Sequence, residues 1–185
     1  MVINETTIEK QTVFEGHVVT VRKDVAELDT GEKVSRELVI HPGGVCVVPL
    51  TKDNEVIMVK QFRYAFMTPL LEIPAGKLEH GEDHRAAGLR ELSEETGASC
   101  SSFEYLGVCY PSVAYLTEKI HMYLARGLSY GDAHLDEGEF LDVIRVPLDE
   151  AVKMVMDGRI PDAMTQIAIL KTKMILEKSG SDEHT

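Results

Sequence analysis

The stretch "GKLEHGEDHRAAGLRELSEETGA", residues 76–98, constrains this chain more than any other. It carries five glutamates and reads as one helix bounded by turns, in a chain whose formal net charge is already −12. Asp83 is placed to cap that helix, which is expected to run to about Thr96, and Gly97 to close it in a left-handed turn. With Glu91 at zero and about 100° per residue, Glu95 falls at about 40° and Glu94 at about 300°. Ala86, Leu89, Leu92 and Thr96 lie on the other side, and Ala87 and Gly88 are expected to leave room beside the acids. One face thus gathers carboxylates without alternation of sign.

Like charges at this spacing repel by about 0.2–0.5 kcal/mol per pair, a cost that a bound cation reverses. Carboxylates on a rigid helix are the hard oxygen donors that Mg²⁺ or Mn²⁺ takes, with waters and a substrate phosphate completing the octahedron. Arg90, one turn before Glu94, is placed to pair with it. Three glutamates alone would equally make an exposed acidic helix.

Net charge narrows the partners. Nucleic acid is disfavoured, because phosphate backbones are bound by clustered Lys and Arg. An anionic small molecule would need a bridging divalent cation. No apolar run approaches the ~18 residues of a membrane helix, so no membrane partner is expected. The opening "MVINETTIEK" has no secretory or organelle-targeting pattern, which makes the cytoplasm the expected location. Cys46, Cys100 and Cys109 show no metal-ligand or CxxC spacing and read as reduced thiols.

Residues 12–41 are β-branched and partly alternating, with "DTGE" at 29–32 as a turn, and suggest a small antiparallel sheet. "VCVVPL" and "VIMVKQF" read as buried central strands, "FEYLGVCY", "EKIHMYLA" and "FLDVIRV" as further strands. "PLDEAVKMVMDG" and "DAMTQIAILKTKMILEK" read as late helices. The order is mixed α/β without regular βαβ units, and no GxGxxG follows the first strand, so a plain dinucleotide-binding fold is set aside. The expected division is an N-terminal β subdomain at 1–41, a main domain at 42–178 and a flexible tail at 179–185.

The acidic stretch also satisfies the pattern G-x5-E-x7-R-E-U-x-E-E-x-G-U, where U is a bulky aliphatic residue. Gly76, Glu82, Arg90, Glu91, Glu94, Glu95 and Gly97 fill the fixed positions and Leu92 the first U; Ala98 is smaller than the usual last residue. At a usage of about 5–10% per residue type, seven identities arise by chance less than about once in ten million start positions. The run resembles the Nudix box of hydrolases that cleave nucleoside diphosphates linked to another moiety.

That resemblance implies an α/β/α sandwich with a mixed sheet, preceded here by the small N-terminal sheet. It implies Glu91 and Glu95 as metal ligands, Glu94 in or near the cluster, and a carbonyl of Ala75 or Gly76 as a further oxygen. Arg90 and Glu82 would orient the helix and its loop. "HPGGV", "VKQFRYAF" and "LLEIPAGKLEHGE" resemble the ADP-ribose pyrophosphatase branch, which is typically a dimer exchanging its N-terminal sheet. In that branch the acidic loop, here "LDEGEF", carries the base and a metal-binding acid, which implies Glu137 as catalytic base and Glu139 as an extra ligand. Arg63 and Arg36 would take phosphate, and Glu118 the ribose or the metal cluster. Tyr110, Tyr115 and Phe14 are weaker candidates for stacking on a base, while His17, His41 and His121 read as structural.

The branch commonly has Pro-Gly where this chain has Val113-Ala114, which bears on the sugar and not on the hydrolase class. The expected activity is Mg²⁺- or Mn²⁺-dependent hydrolysis of ADP-ribose or a related nucleoside diphosphate sugar. GDP-mannose or a dinucleotide is the alternative substrate. A non-catalytic nucleotide sensor is the alternative class, although no box carboxylate is missing. No EF-hand loop occurs, which sets aside a simple calcium-binding reading.

Overall fold

The alternating text of the first forty residues forms an antiparallel meander of β1 (Glu5–Glu15), β2 (Thr20–Leu28) and β3 (Lys33–Ile40). Its second turn needs Gly31 in the left-handed region, at φ 82°, where the Gly31 N–H reaches the carbonyl of Leu28 at 2.8 Å. In the computed structural model residues 3–135 and 140–182 are described, and they divide into two units. The smaller is not the N-terminal segment alone. Tyr110–Lys119 belongs to it, because Val39 exchanges backbone hydrogen bonds with Tyr115 and Thr117 at 2.8 and 3.0 Å. This non-local pairing joins to the N-terminal unit a segment that the sequence alone leaves with the main domain.

The larger unit follows as β4 (Gly44–Pro49), β5 (Glu55–Arg63), β6 (Thr68–Glu72), β7 (Ala75–Lys77), α1 (His84–Thr96) and β8 (Ala98–Cys109). After the excursion come β9 (Ile120–Tyr130), β10 (Leu141–Pro147), α2 (Leu148–Met156) and α3 (Ala163–Asp182). One sheet has the order β7-β4-β9-β8, with β4 and β9 parallel; the other is antiparallel, in the order β10-β5-β6.

β4 is buried along its whole length, and its successive side chains enter opposite layers. Val45 and Val47 pack with Ala87 and Leu92 of α1. Cys46 and Val48 join the larger cluster with Met58 of β5, Ala151 of α2 and Ile169 of α3. Helices on both sides of a mixed sheet make the α/β/α sandwich that the sequence led us to expect. α3 continues through Asp182, into the 179–185 segment expected as a tail. That segment contains no proline, and a single glycine costs a helix only about 1 kcal/mol.

Candidate active site

Asp83 caps α1 as its sequence position foretells: its carboxylate accepts the N–H groups of Arg85 and Ala86, both at 3.0 Å. At the other end Gly97 sits at φ 66° and donates to the carbonyl of Ser93 at 2.9 Å. The same turn moors the loop that follows β9. Gly131 N–H reaches the Gly97 carbonyl at 2.7 Å and His134 N–H that of Glu94 at 3.0 Å. A Cβ on residue 97 would lie 2.5 Å from the Gly131 oxygen, so glycine serves the backbone angle and the mooring together.

The room expected beside Ala87 and Gly88 is filled by core. A Cβ on Gly88 would meet Phe103 at 2.9 Å and Val45 at 3.0 Å, so these small residues let α1 approach the sheet and leave no space for a ligand. The helix buries Ala87, Gly88, Glu91, Leu92 and Glu95. Two of its carboxylates are thus on the flank of the buried stripe.

Glu95 is only 2% exposed and Glu91 9%. Both converge on the backbone of β7, which β4 holds through pairing of Ala75 with Cys46 and Gly76 with Val45. Glu95 Oε2 accepts the Ala75 N–H at 3.2 Å. The Glu91 carboxylate occupies the place where a side chain on residue 76 would begin, 1.8 Å from an ideal Cβ, so only glycine fits there.

Arg90 ties the remaining acids together. Its guanidinium forks onto Glu82 at 3.0 and 3.1 Å and also reaches Glu94 and Glu91, each at 2.8 Å. Hydrogen bonding to Glu82, above all, drives the arginine further above its ordinary range against the opposing cost of burial. The same contact holds Glu82 below the usual carboxylate range. Glu82 in turn accepts the Glu79 N–H at 2.9 Å, which fixes the loop before the helix. Glu82, Glu91 and Glu94 thus share the Arg90 guanidinium, which gathers three carboxylates at one end of the loop and helix.

Arg63, at the end of β5, forks onto Glu72 of β6 at 2.8 and 2.5 Å. Burial alone would lower its pKa, but Glu72, with the field of Glu95 and Asp162 behind it, raises it. Glu72 is 3% exposed and was not singled out in the sequence; strand alternation cannot reveal a partner nine residues away. Thr165 of α3 is a second such residue, its hydroxyl accepting the Ile73 N–H at 3.2 Å and so pinning the turn into β7. Arg36 pairs with Glu5 at 2.6 Å in the smaller unit, where Glu118 also stands, 3.3 Å from His41 Nδ1. Glu137 and Glu139 lie outside the described residues.

The side chains that converge on β7 are carboxylates, the hard oxygen donors that a divalent cation takes. Among the described residues no three His, Cys, Asp or Glu side chains form a cation cage by themselves.

The NUDIX domain profile matches residues 40–165. The chain belongs to the Nudix family. Over 167 residues it is 45% identical to the Methanol dehydrogenase activator of Bacillus methanolicus, covering 89% of this chain and 90% of that protein. Over 169 residues it is 40% identical to the ADP-ribose pyrophosphatase of Bacillus subtilis strain 168, covering 90% and 91%. The crystal structure of an ADP compounds hydrolase aligns with a TM-score of 0.85 over 96% of each chain at 23% identity, a likeness of fold. In this Nudix chain the box is one connected unit: strand β7, a loop held by Glu82, and a helix whose acids lean back onto the strand.

Proposed function

We propose that this Nudix hydrolase cleaves the pyrophosphate of ADP-ribose or a close nucleoside diphosphate sugar, giving a nucleoside monophosphate and a sugar phosphate. The observation that carries the reading is the convergence of Glu91 and Glu95 on the Ala75–Gly76 backbone. The Bacillus subtilis relative supports the substrate class by its name.

Glu91, Glu95 and the carbonyl of Ala75 would hold Mg²⁺ or Mn²⁺, with Glu94 beside them; when bound, such ions neutralise the pyrophosphate and acidify a coordinated water. The chain's own residues do the rest. Arg90 keeps Glu91 and Glu94 in place, and Glu82 keeps Arg90 in place. Arg63, still 37% exposed while gripping Glu72, presents a guanidinium edge to phosphate. A carboxylate must take the proton from the attacking water as its oxygen bonds to phosphorus and the bridging P–O bond breaks. Glu137 is our candidate for that base and Glu139 for an added ligand. What supports them is the resemblance of the acidic stretch; the residues just before it, Gly131 and His134, are tied to the C-terminal turn of α1. Arg36 and Glu118 are assigned to substrate by resemblance alone.

The exposed apolar residues of β1 support a homodimer formed through the N-terminal sheet, with that sheet as the dimerisation subdomain. Among the described residues no helix is long and apolar enough to cross a membrane, and we place the enzyme in the cytoplasm.

The test is a substrate panel with Mg²⁺, comprising ADP-ribose, ADP-glucose, GDP-mannose, NADH and diadenosine polyphosphates, resolved by nucleotide chromatography. AMP from ADP-ribose is expected, and preference for GDP-mannose would move the substrate. A second reading rests on the name of the 45% identical relative, Methanol dehydrogenase activator: this chain would activate an alcohol dehydrogenase. An NAD-dependent alcohol dehydrogenase assayed with and without this protein separates the two.

A further inference from the structure

A cleft of about 560 Å³ opens at the far end of the strands that carry the candidate active site. The acids lean on the start of β4, where β7 pairs with Gly44–Cys46. The cleft lies past the carboxyl end of β4 and against the last residues of β9, roughly 17–20 Å away along a six-residue strand at about 3.3 Å per residue. β4 and β9 run parallel, and crevices at the carboxyl ends of parallel strands are the common place for ligands in open α/β sheets.

Its lining reverses the charge of the chain. Lys52, Arg126 and Arg145 face it, with Asp53 as the one acid among the lining residues, in a protein of formal net charge −12. Arg126 is shared with Glu104 at 3.2 Å, on an exposed strand position. Arg145 has no acidic partner among the described residues; its guanidinium lies over the ring of Tyr130, 5.1 Å from the centroid. Lys52 has none either. The stacking orients a fork of N–H donors that no described residue engages, which is how arginine is prepared for a phosphate. These five residues, Tyr130 included, come from three places, the turn after β4, the later part of β9 and the middle of β10, which only the fold brings together.

We propose that this cleft binds a phosphate dianion as a second site, separate from the acidic helix. The ligand is either free orthophosphate or a monoester such as the two products of the reaction proposed above. The site itself does not depend on that reaction. The monoester source rests on it.

The probes are inorganic phosphate, AMP and ribose 5-phosphate, titrated calorimetrically into metal-free protein. The proteins compared are wild type, Arg145→Ala with Lys52→Ala, Arg145→Lys, and Glu95→Gln. The expected result is saturable binding that weakens at least tenfold in the double variant, recovers partly in Arg145→Lys, and is unchanged in Glu95→Gln. Arg145 and Lys52 are exposed, so thermal unfolding of the double variant should match wild type. Binding of all three probes, phosphate included, assigns the site to phosphate itself; binding of the esters alone assigns it to the products. Equal affinity in wild type and the double variant, or binding lost only in Glu95→Gln, overturns the proposal whatever substrate the enzyme cleaves.

Discussion

Arg90 carries the tightest prediction at the scale of single residues. Its fork onto Glu82 and its bonds to Glu91 and Glu94 need a planar guanidinium, which lysine cannot copy. Arg90→Lys is expected to lower kcat at least tenfold while the fold persists. Glu82 is held below the ordinary glutamate value, so it binds protons less readily folded than unfolded. Its stabilising contribution is complete above the ordinary value of about 4.3 and is lost as pH falls through the lower folded value. Thermal unfolding measured from pH 6 down to pH 3 should therefore fall less steeply in Arg90→Lys than in wild type; parallel curves would contradict the coupling. The box residues were legible because their spacing is local: one helical period fixes which acids share a face. The Arg63–Glu72 pair was not, because it joins two strands, and Gly88 was misread as open space because the packing of Phe103 and Val45 against it is non-local.

Among the elements, α1 stands out because its C-terminal end does two things. Gly97 closes the helix in the left-handed region and passes within contact of the loop that follows β9. Gly97→Ala should cost about 1–2 kcal/mol from the backbone angle alone. It should also shift the moored loop, so that kcat falls at least tenfold with KM little changed. A loss of thermal stability with normal kcat would reduce Gly97 to a helix stop. Helix ends, turns and buried strands were readable from caps, glycines and apolar runs. The assignment of Tyr110–Lys119 to the N-terminal unit was not, since a single strand-like pairing between Val39 and residues as distant as Tyr115 and Thr117 leaves no local mark.

For the whole molecule, the N-terminal sheet is the element without a visible purpose in a single chain. β1 is exposed along all eleven residues, with Ile8, Val13 and Phe14 each about half exposed. Exposed apolar strands are association surfaces or liabilities. Light scattering after size exclusion should therefore give twice the chain mass of 20.6 kDa, and Val13→Lys with Phe14→Lys should shift it to the monomer. A monomeric wild-type protein would end the dimer reading without touching the hydrolase site.

That site is tested most directly by AMP release from ADP-ribose, followed as Mg²⁺ is titrated into wild type and into Glu95→Gln. Buried Glu95 differs from glutamine by one atom and a charge, so the variant should unfold at nearly the wild-type temperature. We predict turnover that needs added Mg²⁺, stops with chelator, and falls at least a hundredfold in the variant. Turnover that survives either the chelator or the substitution would contradict the claim that the acidic helix gathers its charge to hold a cation on a pyrophosphate.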